Sequence, residues 1–200
     1  MIINIVGVSR AGKGTLANIL HDQLSRQHLR VERFKFSSPM KRWFEETYGL
    51  YEGAFEVPEV RSSKVPGHPD GITYLDLMIR ASKHLLAIDP RIMTLALDPE
   101  VRHIIKWSDV QIFDDCRFPA EVDYLLDLQK QGHRLINVHI YRSGTEALES
   151  DRYLLPNCFR LSSLSEFHTL PNLGSLGDLE RSTQWLVDTI LNAVPATKVA

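Results

Sequence analysis

Two hundred residues, 44% hydrophobic and 24% charged, are enough for a substantial core and match the composition of ordinary soluble domains. A net charge of −2 excludes binding to nucleic acid or an anionic membrane through bulk charge, so any cations that serve phosphates must be gathered locally. The two cysteines, Cys116 and Cys158, and the eight scattered histidines form no zinc or redox spacing, which makes a reduced, intracellular setting the expectation.

The chain opens with an apolar run, Ile2-Ile3-Asn4-Ile5-Val6, that reads as a buried strand. It is too short for a signal peptide and leads straight into a loop; no other stretch is long and apolar enough to cross a bilayer. The loop is Gly7-Val8-Ser9-Arg10-Ala11-Gly12-Lys13-Gly14-Thr15, and a helix with Leu16, Ile19, Leu20 and Leu24 on one face follows through Gln27. Strand, glycine-rich turn and helix in that order predict a phosphate loop. Gly7 and Gly12 let the backbone curl so that successive N–H groups point inward at phosphate oxygens. The helix start adds unsatisfied N–H groups and the positive end of its dipole, and Lys13 adds a mobile cation. A hydrolase elbow is the weaker reading, because the fifth position of Gly7-Val8-Ser9-Arg10-Ala11 is not Gly and Gly12-Lys13 has no part in that chemistry.

Val31–Phe36 alternates and reads as a second strand, followed by a helix over Pro39–Thr47 with Ser37 and Pro39 as start signals and Gly49 as stop. Tyr51 to Ile72 contains Pro58, Pro66, Gly67, Pro69 and Gly71 and reads as a long loop with little regular structure, of the kind that often binds or closes over a ligand. Helical spacing returns over Leu75–Leu86 and again after Asp89-Pro90, through Met93, Leu95 and Leu97. Val110–Phe113 is a strand, Pro119–Gln131 an amphipathic helix capped by Gly132, and Leu135–Tyr141 a strand. Ser143 to Ser165 reads as irregular, Phe167–Leu170 as a short last strand and Leu176–Val194 as the closing helix. Alternating strands and helices predict an α/β fold with a parallel sheet covered on both faces and ligands beyond the carboxyl ends of its strands.

At one such strand end stands Asp114-Asp115-Cys116-Arg117-Phe118-Pro119-Ala120-Glu121. Arg117 offers a planar fork for a phosphate, and Asp114 or Asp115 could hold magnesium-bound water or a substrate hydroxyl. Glu121, four residues on, is spaced to orient the guanidinium. The competing reading is a capped helix with a surface salt bridge, and this stretch alone does not choose between them.

The loop at Gly7–Thr15, the segment Ser37-Ser38-Pro39-Met40-Lys41 and the turn Asp115–Glu121 together resemble the deoxynucleoside monophosphate kinases of tailed bacteriophages and their bacterial relatives, within the P-loop kinase superfamily. Val138–Arg142 and Asn172-Leu173-Gly174-Ser175-Leu176 are similar to that family's last strand and Asn-x-Gly-Ser segment. Departures are Gly14, where the family often has Asp or Ser, and Ala81-Ser82-Lys83 in place of a Leu-Gly-Thr segment. The resemblance implies one P-loop kinase domain over 1–200, with a mobile acceptor-binding excursion near 37–86 and a small lid near 143–165. It implies transfer of the γ-phosphoryl group of ATP, with Mg²⁺, to a (deoxy)nucleoside monophosphate. ATP would be held by Arg10, Ala11, Gly12, Lys13, Gly14 and Thr15, with Arg142 and Asn172. The acceptor would meet Lys41, Arg61, Arg80, Asp115, Arg117 and Glu121. Lys13, Arg117, Arg152 and Arg160 would act on the moving group. Magnesium would be held through the ATP phosphates, with Thr15 and Asp114 as the protein groups in reach. Such a protein would work in the cytoplasm (the host's, for a viral chain) as a monomer or homodimer, without nucleic acid or membrane. Two alternatives are a P-loop kinase of another small phosphorylated acceptor, of the dephospho-coenzyme A or phosphomevalonate type, and a non-kinase ATPase switch.

Overall fold

Five parallel strands form the sheet of the computed structural model, which describes residues 1–145 and 151–194. They are β1 (Ile2–Val6), β2 (Val31–Phe34), β3 (Val110–Phe113), β4 (Leu135–Tyr141) and β5 (Glu166–Pro171), in the order β2-β3-β1-β4-β5. The strands on either side of β1 are thus wound in opposite directions from the centre, which opens a crevice at the carboxyl end of β1. All five residues of β1 are buried, as a central strand covered on both faces must be.

Register fixes which side chains share a face. Ile3 and Ile5 of β1 stand beside Ile112 of β3 and Ile136 and Val138 of β4. This face packs on Leu16, Ile19, Leu20 and Leu24 of α1 (Lys13–Arg26) and on Leu179, Leu186, Val187 and Ile190 of α8 (Leu176–Ala193). Burying one Leu or Ile in such a layer contributes roughly 1.5–3 kcal/mol. The opposite face carries Asn4, Phe113 and Asn137, and α6 (Pro119–Lys130) and α7 (Leu154–Leu164) lie against β4 on this side. Asn4 and Asn137 would be costly there alone. Asn4 Nδ2 donates to Asn137 Oδ1 at 2.8 Å, and Asn137 Nδ2 donates to Ser165 Oγ at 2.6 Å.

The chain divides into two compact units, Met1–Lys35 with Glu100–Ala200, and Phe36–Pro99. The expected excursion lies inside the second. That unit holds α2 (Ser38–Tyr48), a 3₁₀ turn (Ala54–Glu56), α3 (Pro58–Ser62), α4 (Tyr74–Ile88) and the first part of α5 (Ile92–Ile104). Its aromatic core has Phe55 edge-on to Tyr74 at 5.7 Å and Tyr74 edge-on to Tyr48 at 5.5 Å between ring centres. Glu45 is buried here, where its Oε1 accepts the Phe55 N–H at 3.1 Å.

Four sequence expectations are corrected. Tyr51 to Ile72 holds more regular structure than expected: it contains the 3₁₀ turn and α3, and Lys64 pairs with Thr73 in an antiparallel bridge. Pro58 stands in the first turn of α3, where a missing N–H costs nothing. Residues 154–164, expected to be irregular, form α7. The second strand ends at Phe34, not Phe36, while the last runs longer, from Glu166 to Pro171. Among the described residues no helix is long and apolar enough to cross a membrane.

Candidate active site

The loop leaves β1 at Gly7 and enters α1 at Lys13. Two backbone requirements shape it. A Cβ on Gly7 would collide with the Ile140 main-chain carbonyl of β4, which is fixed by strand pairing and cannot yield. Gly12 has φ +104°, and a Cβ there would come 2.5 Å from Asn172 Nδ2. That Nδ2 donates to the Ala11 carbonyl at 2.9 Å, and the Asn172 N–H donates to the Tyr141 carbonyl at 2.8 Å. Asn172 thus ties the loop to the end of β4. Arg10 takes φ +67°, unusual outside glycine, and alternating hand along a loop turns neighbouring N–H groups toward one point. Gly7→Ala is expected to destabilise the fold by roughly 1–3 kcal/mol through this collision. Thermal unfolding checks it, and an unchanged Tm would show that the loop has room to move.

Lys13 is folded over its own loop. Its Nζ donates to the carbonyls of Gly7 at 2.7 Å and Val8 at 2.9 Å. Burial, and then the positive charge of Arg117, lower its pKa from 10.5 to about 8, while Asp151, Asp114 and Asp115 pull it upward. Two cations and three carboxylates therefore share one field at the carboxyl ends of β1 and β3. Gly14 and Thr15 are exposed in the first turn of α1, which carries no acidic side chain to compete with an anion.

Asp114 follows β3 and is buried. Its Oδ2 accepts from Arg33 Nη2 at 2.6 Å, while Oδ1 is buried with no hydrogen-bond partner among the described residues. Burial raises its pKa against the pull of Lys35 and Arg33. Glu121 also reaches the main chain of the turn, which its spacing did not show. Its Oε2 accepts the main-chain N–H of Arg117 at 2.6 Å and of Phe118 at 2.9 Å, so the carboxylate fixes the turn itself. Burial and Asp115 raise its pKa, against those two donors.

Arg152 stacks over Tyr153, with its guanidinium carbon 4.7 Å from the ring centre, and Arg160 pairs with Asp123. Arg142 is exposed just past β4, where its carbonyl accepts from Thr145 Oγ1 at 2.7 Å. Lys41, Arg61 and Arg80 belong to the second unit. There Lys41 pairs with Glu56 at 2.7 Å and Arg80 with Asp70 at 3.4 Å. Of the expected lid near 143–165, residues 146–150 lie outside the described ones. No group of three or more His, Cys, Asp or Glu that could hold a metal occurs among the described residues.

Sequence reading missed three residues. Arg33 reaches Asp114, Asp151 Oδ2 accepts the Ser9 N–H at 3.2 Å, and Asn157 Nδ2 donates to the Arg117 carbonyl at 2.8 Å. Arg33 left a faint signal as a charge in a strand; the other two left none. The cysteines are free, and burial raises both thiols, Cys158 to about 11. Neither is poised as a thiolate, so a Cys116→Ala/Cys158→Ser variant is expected to keep its steady-state constants within about twofold. Reversible loss of activity on mild oxidation of the unaltered protein would contradict this.

No protein-family model matches the sequence, and no curated protein matches it either. Among solved structures it is similar to APE1195, with TM-score 0.48 and 14% identity over 98% of this chain and 97% of that one. A gluconokinase from Sinorhizobium meliloti 1021 aligns with TM-score 0.47 and 11% identity, over 96% of this chain and 92% of that one. A cobyrinic acid a,c-diamide synthase from Mycobacterium smegmatis, with bound ADP and magnesium, aligns with TM-score 0.46 and 14% identity, over 94% and 81%.

Proposed function

We propose that this chain is an ATP-dependent (deoxy)nucleoside monophosphate kinase. The observation that carries the reading is the shared field of Lys13 and Arg117, one on the phosphate loop and one on the adjacent strand end. Two cations at neighbouring strand ends suit two anionic tails that must meet.

In this reading the amides from Arg10 to Thr15 hold the ATP phosphates, and Lys13 leaves the Gly7 and Val8 carbonyls to follow the transferred group. Asn172 holds the loop in shape from beneath, and Arg142 reaches the nucleotide from the end of β4. Arg117 takes the acceptor phosphate, with Glu121 fixing its main chain and Asp115 beside it. Lys41, Arg61 and Arg80 are proposed as further acceptor-binding residues, and Arg152 and Arg160 as cations that act on the moving group. The γ-phosphoryl passes from the β–γ bridging oxygen to an oxygen of the acceptor phosphate, giving a diphosphate and ADP. That acceptor oxygen is already ionised near neutral pH, so no side chain has to remove a proton. Positioning and charge neutralisation then supply the rate enhancement.

The residues present fit a magnesium ion. Asp114 keeps one buried oxygen without a partner beside a phosphate loop, and Thr15 adds an exposed hydroxyl. A hard cation that keeps several waters and takes most ligands from phosphates needs no larger protein cage. When bound, it would neutralise charge on the ATP phosphates.

The test is ADP release from Mg-ATP with each ribo- and deoxynucleoside monophosphate in turn, with dephospho-coenzyme A, with phosphomevalonate, and with no acceptor. Release that depends on one or a few monophosphates is expected. Release independent of every acceptor would make the chain an ATPase switch, and release only with one of the other two would assign that acceptor.

A further inference from the structure

We infer that Asn157 is a positioning residue for Arg117, and that the stretch from Asp151 to Asn157 holds the arginine turn in register with the phosphate loop; this rests on the kinase reading of the site. Asn157 is buried on the first turns of α7, and its Nδ2 reaches the Arg117 carbonyl at 2.8 Å, across 40 residues of sequence. At the other main-chain polar group of the same residue, Glu121 accepts the Arg117 N–H at 2.6 Å. Both main-chain polar groups of Arg117 are therefore engaged, one by α6 and one by α7.

The same stretch also touches the loop. Asp151 Oδ2 accepts the Ser9 N–H at 3.2 Å, and between the two anchors Tyr153 packs edge-on against Phe118, ring centres 6.1 Å apart. Seven residues thus contact both halves of the proposed reaction centre. A long arginine side chain can aim a phosphate fork reproducibly only from a fixed main chain, because an error at Cα is carried along the whole side chain. Asn suits this place: it donates to a carbonyl without adding charge. An Asp there would set a carboxylate against that carbonyl and add negative charge beside Asp114, Asp115 and Asp151.

The experiment compares Asn157→Ala and the isosteric Asn157→Asp, each alone and combined with Arg117→Lys. Hydrogen exchange at the Arg117 and Phe118 amides is read by mass spectrometry without substrate, and steady-state constants are read with each substrate varied. Exchange at these amides is expected to quicken about tenfold in both single variants. The acceptor KM is expected to rise about tenfold while the ATP KM stays within about twofold, and this loss should vanish when Arg117 is already Lys. Unchanged exchange, an equal loss in both backgrounds, or a matching rise in the ATP KM would each overturn the inference. Should one variant not fold, the other carries the same comparison. If the unaltered protein serves no monophosphate, the kinase reading fails by itself and exchange alone decides the role of Asn157.

Discussion

Lys13→Ala is expected to remove phosphoryl transfer by about 100-fold or more while the fold stands. The side chain stabilises no apolar core; its ammonium satisfies only the carbonyls of Gly7 and Val8, which water can reach once it is gone. Losing a buried cation also removes a desolvation cost, so the change in Tm should be small. The same lysine sets the alkaline side of the pH profile. Its pKa in the folded chain is lowered from 10.5 to about 8, mainly by burial and then by Arg117. As pH rises through about 8 the ammonium is lost, and kcat/KM for Mg-ATP should fall with it. Stability moves the other way. Between about 8 and 10.5 the unfolded chain holds the proton that the folded chain has released, so this group's contribution to stability rises across that window. A folded Lys13→Ala protein with near-normal turnover would remove the loop from the mechanism.

Arg117→Lys is expected to keep ATP binding nearly normal, weaken the acceptor and slow transfer, with a combined loss of roughly 2–4 kcal/mol in transition-state stabilisation. The reason is geometric. A monophosphate carries nearly two negative charges at neutral pH and must approach another anionic tail. On the proposed reading Lys13 serves ATP, so the acceptor needs its own cation, and a fork holds two oxygens where an ammonium holds one. The turn that presents Arg117 is held by Glu121 and Asn157 through its main chain, so the substitution leaves that support in place. Steady-state kinetics with each substrate varied, plus direct ATP binding, check it. A rise confined to the ATP constant would place Arg117 on the donor side.

The parts of the fold that follow from local pattern were legible. β1, β3 and β4 are apolar runs that stop at Gly7, Asp114 and Arg142, and their bounds match the expectation from sequence. Gly49, read as a helix stop, ends α2 with φ +63°. α7 was hidden because Pro156, Asn157, Ser162 and Ser163 break its apolar period. Its Leu161 and Asn157 are buried by tertiary packing, which no local propensity reports. Glu121 was found by its spacing but its main-chain partners were not, since four residues of separation allow a carboxylate to reach either a guanidinium or a main-chain N–H. Asp151 and Asn157 lie 142 and 40 residues from the groups they bond, and nothing local marks them.

The placement of β1 also sets a schedule for the growing chain. Its residues pair with Gln111 to Phe113 on one side and with Leu135 to His139 on the other, whereas Phe36–Pro99 is a continuous stretch. During synthesis the second unit therefore has all of its own chain before the first strand has either neighbour. The carbonyl of Ile140 and the amide of Asn172, which shape the loop, emerge later still. On the proposed reading, nucleotide affinity should accordingly be absent from nascent chains that stop short of Asn172, although the nine residues of the loop itself leave the ribosome well before it.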